Sequence, residues 1–306
     1  MGFFAITNHG VDTATINNAW KASQEFFDSD AVSIKQSVPM TEDYPYGYEN
    51  IEMLGIERNK QSATTDSKET FSIGPFDAVK SNMPPRKFPS SLGSSGSSRF
   101  EEALTNYYSA MEHLAKVLFR GFAMALSEDM QWFLQEGRFD DGHQCALRIL
   151  NYPQIRVDDV NKVHIRAGAH TDYGAMTILK SGGPGLQLQL SKDSTWIDVP
   201  HLEDSFIINL GDLMQRWTND SWKSTLHRVV AVDDGNNRDD ESGGEKVFRS
   251  ARRQSIAFFV NMNGNATVVP FDTCVDEEHP SLYKPIKASE HLMQRHLQSM
   301  ASKANK

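Results

Sequence analysis

The sequence predicts a mainly β core with α-helices on its flanks, and three observations carry that prediction. From Ala146 onward, short apolar runs alternate with Gly, Pro, Asn and Asp, the texture of many short strands joined by turns in an antiparallel sandwich or barrel. Ahead of that point, Leu104, Tyr108, Met111, Ala115, Leu118 and Phe122 step by fours and threes, making one apolar stripe along a helix. Behind it, from Ala288 to about Met300, the spacing of Leu292, Met293, His296, Leu297 and Met300 is helical again.

Taken in order, Gly2 to Ile6 reads as a strand closed by the turn residues Asn8-His9-Gly10, and Asp12 or Thr13 caps a helix reaching about Phe27. Residues 40–68 are polar and irregular, with Tyr44, Tyr46 and Tyr48 expected in a packed loop, and Ser90 to Ser98 reads as a flexible connector. Ser97 or Ser98 then starts the striped helix, with Glu101 and Glu102 in its first turn, where carboxylates suit the helix dipole. Strands are expected at Ala146–Leu150, Ala175–Leu179, Leu186–Leu190, Ser205–Leu210, His227–Val232 and Gln254–Val260, with Asp233 to Lys246 as a mobile loop. The organisation expected is a mostly helical N-terminal region over 1–145 that lends one strand to the core, a core over 146–270 and a helical tail over 271–306, all in a single structural unit.

Composition narrows the function. The chain has 306 residues, 39% of them hydrophobic and 23% charged, which is ordinary for a globular protein. A net charge of −9 weighs against a sequence-independent grip on nucleic acid or an anionic membrane, both of which need excess Lys and Arg. Cys145 and Cys274 are too few for a disulfide framework and read as reduced thiols. With no apolar stretch of membrane-spanning length and no secretory signal, the expectation is a cytoplasmic protein.

Among ten histidines, His170-Thr171-Asp172 stands out because Gly168-Ala169 precede it and Tyr173-Gly174 follow. In extended chain, residues two apart point to one side, so His170 and Asp172 can face one metal. A second imidazole, His227 at the head of a β-branched run, would complete a facial triad of two His and one carboxylate, which leaves positions of an iron(II) open to oxygen. The plainer readings are a strand-end His capped by Asp and a core imidazole. Arg253 and Ser255 again share a face, an Arg fork beside a hydroxyl that suits the distal end of a dicarboxylate, and Tyr152 offers a phenol to the same anion. An acidic residue of the Asp233–Lys246 loop is the competing partner for Arg253, and Arg252 should point the opposite way. Phe259 is equally suited to core packing and to lining a pocket. Asp212 reads as fixing a turn.

These segments resemble the isopenicillin N synthase-like family of 2-oxoglutarate and iron(II)-dependent dioxygenases. The matching stretches are Gly2-Phe3-Phe4 with Asn8-His9-Gly10, Lys68 to Phe71, Leu147-Arg148 with Asn151-Tyr152-Pro153, and Gly168 to Gly174. Further matches are Gly185-Leu186-Gln187, Trp196 to Pro200, Asn209 to Asp212, Gln215 to Asn219, Lys223 to Val229, Arg253 to Phe259 and Tyr283 to Ile286. The resemblance implies a double-stranded β-helix, or jelly roll, with iron(II) on His170, Asp172 and His227. It implies 2-oxoglutarate on Arg253 and Ser255 with Tyr152 assisting, and Phe259 beside the substrate. The implied reaction couples oxygen and oxidative decarboxylation of 2-oxoglutarate to hydroxylation, desaturation or rearrangement at a C–H bond of a secondary metabolite. Three departures stand out. Relatives usually carry a strand and helix ahead of Gly2, join the second His to the Arg by a shorter loop, and often have Asn where Leu150 stands. The alternatives are an iron oxidase of the same fold that does not use 2-oxoglutarate, and a non-catalytic jelly-roll binding protein.

Overall fold

The computed structural model describes residues 2–29, 32–50, 68–90, 96–140, 142–157, 163–191, 195–233 and 248–304. Within them the strands are β1 (Phe3–Ile6), β2 (Gly47–Asn50), β3 (Glu69–Ile73), β4 (Ala146–Tyr152), β5 (Ile155–Val157), β6 (Ile165–His170), β7 (Met176–Ser181) and β8 (Leu186–Gln189). They continue as β9 (Ile197–Asp198), β10 (Phe206–Leu210), β11 (Leu226–Val230), β12 (Phe248–Ser250), β13 (Arg253–Val260), β14 (Thr267–Val268) and β15 (Ile286–Lys287). The helices are α1 (Thr13–Asp28), α2 (Val32–Lys35), α3 (Ala78–Ser81), α4 (Gly96–Ala125), α5 (Asp212–Trp217) and α6 (Ala288–Ala304).

Seven strands form one antiparallel sheet in the order β1-β10-β7-β13-β4-β3-β2, and four form another in the order β6-β11-β8-β9. Together they make the jelly roll. Alternation along β13 shows how the sequence sorts its two faces. Ile256, Phe258 and Val260 join the core between the large sheet and the helices, while Arg253, Ser255, Ala257 and Phe259 take the other side. On that other side lies a second, smaller cluster, with Phe3, Tyr152 and Ile207 from the large sheet meeting Ala167, Leu186, Leu188 and Val229 from the small one. The interior between the sheets is therefore apolar at one level and carries charge at another.

The helical layer follows from the stripes. Asp12 caps α1 by accepting from the Thr15 N–H at 2.9 Å, and Ile16, Ala19, Ala22, Phe26 and Phe27 turn one face inward. Phe26 stacks on Phe100 of α4 with ring centroids 5.0 Å apart, and Leu104, Tyr108, Met111 and Ala115 of α4 are all buried. The chain α4 belongs to starts its helix at Gly96, earlier than the expected Ser97 or Ser98 cap. Most of the expected connector from Ser90 to Ser98 and nearly all of the expected loop from Asp233 to Lys246 lie outside the described residues.

Two further corrections concern the first 145 residues. They supply three strands to the large sheet, β1, β2 and β3, where one was expected. The last of the three tyrosines falls in a strand rather than a loop, since β2 pairs with β3 through Tyr48↔Phe71. Both strands are short, and β2 is the edge strand of the sheet, so the apolar alternation that marks a longer strand has no room to show. Cys145 and Cys274 are both free thiols, and no helix among the described residues is long and apolar enough to cross a membrane.

Candidate active site

His170 ends β6 and His227 lies on β11, and the register of the small sheet sets them directly opposite one another. Their rings stand 4.3 Å apart at 53°. Asp172 follows on the turn after β6, and its Oδ1 lies 3.8 Å from His170 Nε2 and 3.9 Å from His227 Nε2. Bonds of about 2.1 Å from N and O donors to a divalent ion permit a separation of up to about 4.2 Å between two donors, so both pairs fit one ion. No other group of three or more His, Cys, Asp or Glu donors among the described residues is close enough to share an ion.

The other atom of each side chain is already committed. His170 Nδ1 lies 2.7 Å from the Gly168 carbonyl oxygen and His227 Nδ1 3.1 Å from that of Thr225. Each carbonyl accepts a hydrogen bond from Nδ1–H, which keeps the proton on Nδ1 and leaves the Nε2 lone pair for a metal. Asp172 Oδ2 accepts from Thr177 Oγ1 at 2.5 Å and from Asn209 Nδ2 at 2.6 Å, which leaves Oδ1 facing the two imidazoles. Burial pushes the Asp172 carboxyl up, but the neighbouring His227 and His170 and the bonds from Thr177 and Asn209 outweigh it and hold the group below the ordinary carboxylate range. Burial and the nearby His227 hold the His170 imidazole below its ordinary value as well.

Backbone and the last helix fix the ligand turn. Asp212 N–H donates to the Asp172 carbonyl at 2.8 Å, and Gly211 N–H to that of Ala175 at 3.0 Å. From α6, Arg295 pairs with Asp212 at 2.7 Å and donates to Thr171 Oγ1 at 3.0 Å. Asp212 thus holds the ligand turn in place through both its backbone and its side chain.

Arg253 is the other pole of the site. It is buried, with 6% exposure, and donates to the carbonyls of Pro184 at 3.1 Å and Gly183 at 3.4 Å and to Ser181 Oγ at 2.8 Å. Among the described residues no carboxylate lies within ion-pair distance of it. Tyr152 sits opposite it in register, with its ring centroid 5.2 Å from the guanidinium. Ser255, two residues on, is buried on the same face. A buried cation with a phenol and a hydroxyl around it suits a carboxylate ligand; the acidic loop expected as its competing partner lies almost wholly outside the described residues. Arg252 does point the other way, donating to Asn151 Oδ1 and pairing with Asp28. Phe259 faces the interior, with the Arg148 guanidinium 5.6 Å from its ring.

Four residues of this interior were not singled out from the sequence. Thr177 and Asn209 are register partners on β7 and β10, and each is a polar residue inside an apolar run, which was the available signal. Arg148 shares the face of Leu150 and Tyr152 on β4. Its Nε donates to Ser72 Oγ at 2.9 Å, and Glu49 and Asp172 partly offset the burial that lowers its pKa. Arg166, on β6, is 2% exposed and reaches across to Ser250 at the end of β12.

Comparison with known proteins agrees with this geometry. Residues 144–262 match the model of the 2OG-Fe(II) oxygenase superfamily, and residues 1–91 match the N-terminal model of non-haem dioxygenases in morphine synthesis. A 2-oxoglutarate-dependent dioxygenase of Penicillium crustosum is 31% identical, over 80% of this chain and 72% of its own. Another, from Aspergillus niger, is 30% identical over 75% of this chain and 69% of its own. The crystal structure of Neurospora crassa T7H in complex with alpha-KG and thymine superposes with a TM-score of 0.78 at 26% identity, covering 97% of this chain and 87% of that one.

Proposed function

The chain belongs to the 2OG-Fe(II) oxygenase superfamily as a 2-oxoglutarate-dependent dioxygenase, and from that premise we propose how its residues divide the work and what it acts on. His170, Asp172 and His227 hold iron(II). Arg253 and Ser255, with Tyr152 assisting, hold the distal carboxylate of 2-oxoglutarate, and Phe259 lines the substrate side. When bound, iron(II), 2-oxoglutarate and oxygen supply the oxidant for a C–H bond. The protein orients the three metal-binding atoms through Gly168, Thr225, Thr177 and Asn209, keeps the co-substrate end dry and positions the substrate.

The substrate we infer is a small secondary metabolite handled by a cytoplasmic monomer, without nucleic acid or membrane as a partner. The two dioxygenases from filamentous fungi support a metabolite, and the Arg148 guanidinium beside Phe259 favours one that carries an oxygen acceptor. The readings as an oxidase without 2-oxoglutarate or as a non-catalytic binder find no support in the relatives, which are 2-oxoglutarate-dependent dioxygenases.

One observation carries the site assignment. Asp172 has its Oδ2 tied off by Thr177 and Asn209 while its Oδ1 faces two imidazole Nε2 atoms. Anaerobic addition of iron(II) and 2-oxoglutarate should produce a visible charge-transfer absorption in the wild type and none in Asp172→Ala. An unchanged absorption in that variant would refute the triad.

A further inference from the structure

A second buried guanidinium, that of Arg166, lies beside the segments that lead to Arg253 and Tyr152 and has been given no role. Arg166 leaves the small sheet and donates through Nη2 to Ser250 Oγ at 2.5 Å, to the Ala251 carbonyl at 3.0 Å and to the Pro153 carbonyl at 2.9 Å. Ser250 and Ala251 lead directly into Arg253, and Pro153 follows Tyr152. One side chain therefore ties the segment leaving β4 and the end of β12 with its link into β13, next to the carboxylate-binding pair, to the small sheet.

The electrostatics point the same way. Arg166 is 2% exposed, and its Nε is buried with no hydrogen-bond partner. Burial pulls its pKa down to about 10, with the like charge of Arg253 adding to the effect and Tyr152 opposing it. Among the described residues neither arginine has a carboxylate at ion-pair distance. Two buried cations that repel each other are costly to assemble, and an anion bound beside them relieves that cost.

We propose that Arg166 is a positioning residue of the co-substrate site, which fixes Arg253 and Tyr152 in place and adds a second positive charge that makes the site demand a keto acid with a distal carboxylate. The proposal rests on the assignment of Arg253 to that carboxylate. It separates Arg166 from a plain packing residue, because packing would support any keto acid alike, whereas charge and alignment at the far end matter only to a ligand that carries charge there.

The test compares two ligands on the manganese(II)-loaded protein, with dissociation constants measured by calorimetry. 2-Oxoglutarate and 2-oxopentanoate have the same chain length and differ by a distal carboxylate in place of a methyl group. Removing one charge several ångströms from the carboxylate in a partly desolvated site is expected to weaken 2-oxoglutarate binding about 10- to 50-fold in Arg166→Gln, with 2-oxopentanoate within about twofold of wild type. Arg166→Lys should recover part of the loss, since it returns charge without the fork. If Arg166→Gln does not fold, Ser250→Ala, which removes one acceptor of the tie, should show the same selective loss at smaller size. Equal weakening of both ligands, or of neither, would overturn the proposal. If wild-type protein fails to prefer 2-oxoglutarate at all, the assignment of Arg253 falls instead.

Discussion

Thr177→Val tests how the metal-binding carboxylate is held. The substitution keeps the branched shape on β7 and removes only the hydroxyl that donates to Asp172 Oδ2, leaving Asn209 as the remaining donor. A buried hydrogen bond to a charged acceptor contributes about 1.5–3 kcal/mol, and partners that orient metal ligands typically alter metal affinity by about 10- to 100-fold. The two figures agree, since about 1.4 kcal/mol is one decade. Asp172 is only 8% exposed, so water has little access to replace the lost donor. Anaerobic titration with manganese(II), with circular dichroism confirming the fold, should show binding weakened by about 10- to 100-fold. Affinity within about twofold of wild type would mean that the carboxylate orients itself without help, and the reasoning about Oδ1 would be wrong.

Two further perturbations reach other parts of the argument. In Gly211→Ala the new Cβ would stand 2.2 Å from the Gly174 carbonyl oxygen and 3.0 Å from that of Asp172. The ligand turn must then shift, so metal affinity and stability, read by metal titration and by thermal unfolding, should both fall, the latter by about 1–3 kcal/mol. His143 lies 3.6 Å from Glu112 beneath α4. Burial opposes its charge, yet Cys145 and Glu112 raise its pKa to about 10 against an ordinary 6.5. A raised folded-state value gives stability that is complete below pH of about 6.5 and lost as pH climbs toward 10. Denaturant unfolding between those limits should show a decline of up to about 5 kcal/mol that His143→Gln flattens. An identical slope in the variant would remove His143 as its source.

What the sequence made legible was whatever repeats or clusters. The stripe from Leu104 to Phe122 and the apolar runs after Ala146 announced α4 and the core strands, because burial imposes a period on residues that share an element. The convergent trio of His170, Asp172 and His227 was legible for a different reason: two of its members are two positions apart in extended chain, and the third heads a strand. The supporting residues were not. Thr177 and Asn209 converge on Asp172 only because β7 and β10 pair in one register, and Arg166 reaches Ser250 only because the two sheets close over one another. Such contacts belong to topology, and a single linear pattern does not contain them. β2 and β3 escaped notice through shortness, with only four and five residues to show a pattern.

The clasp from α6 makes the ligand turn a long-distance construction. Arg295 and the Thr171 hydroxyl it grips are 124 positions apart in the chain, so the contact closes a long loop and depends on the tertiary fold rather than on local chain order. Amide protons of the turn carrying His170 and Asp172 should then exchange in step with those of the final helix, and any event that frays that helix becomes an event at the metal.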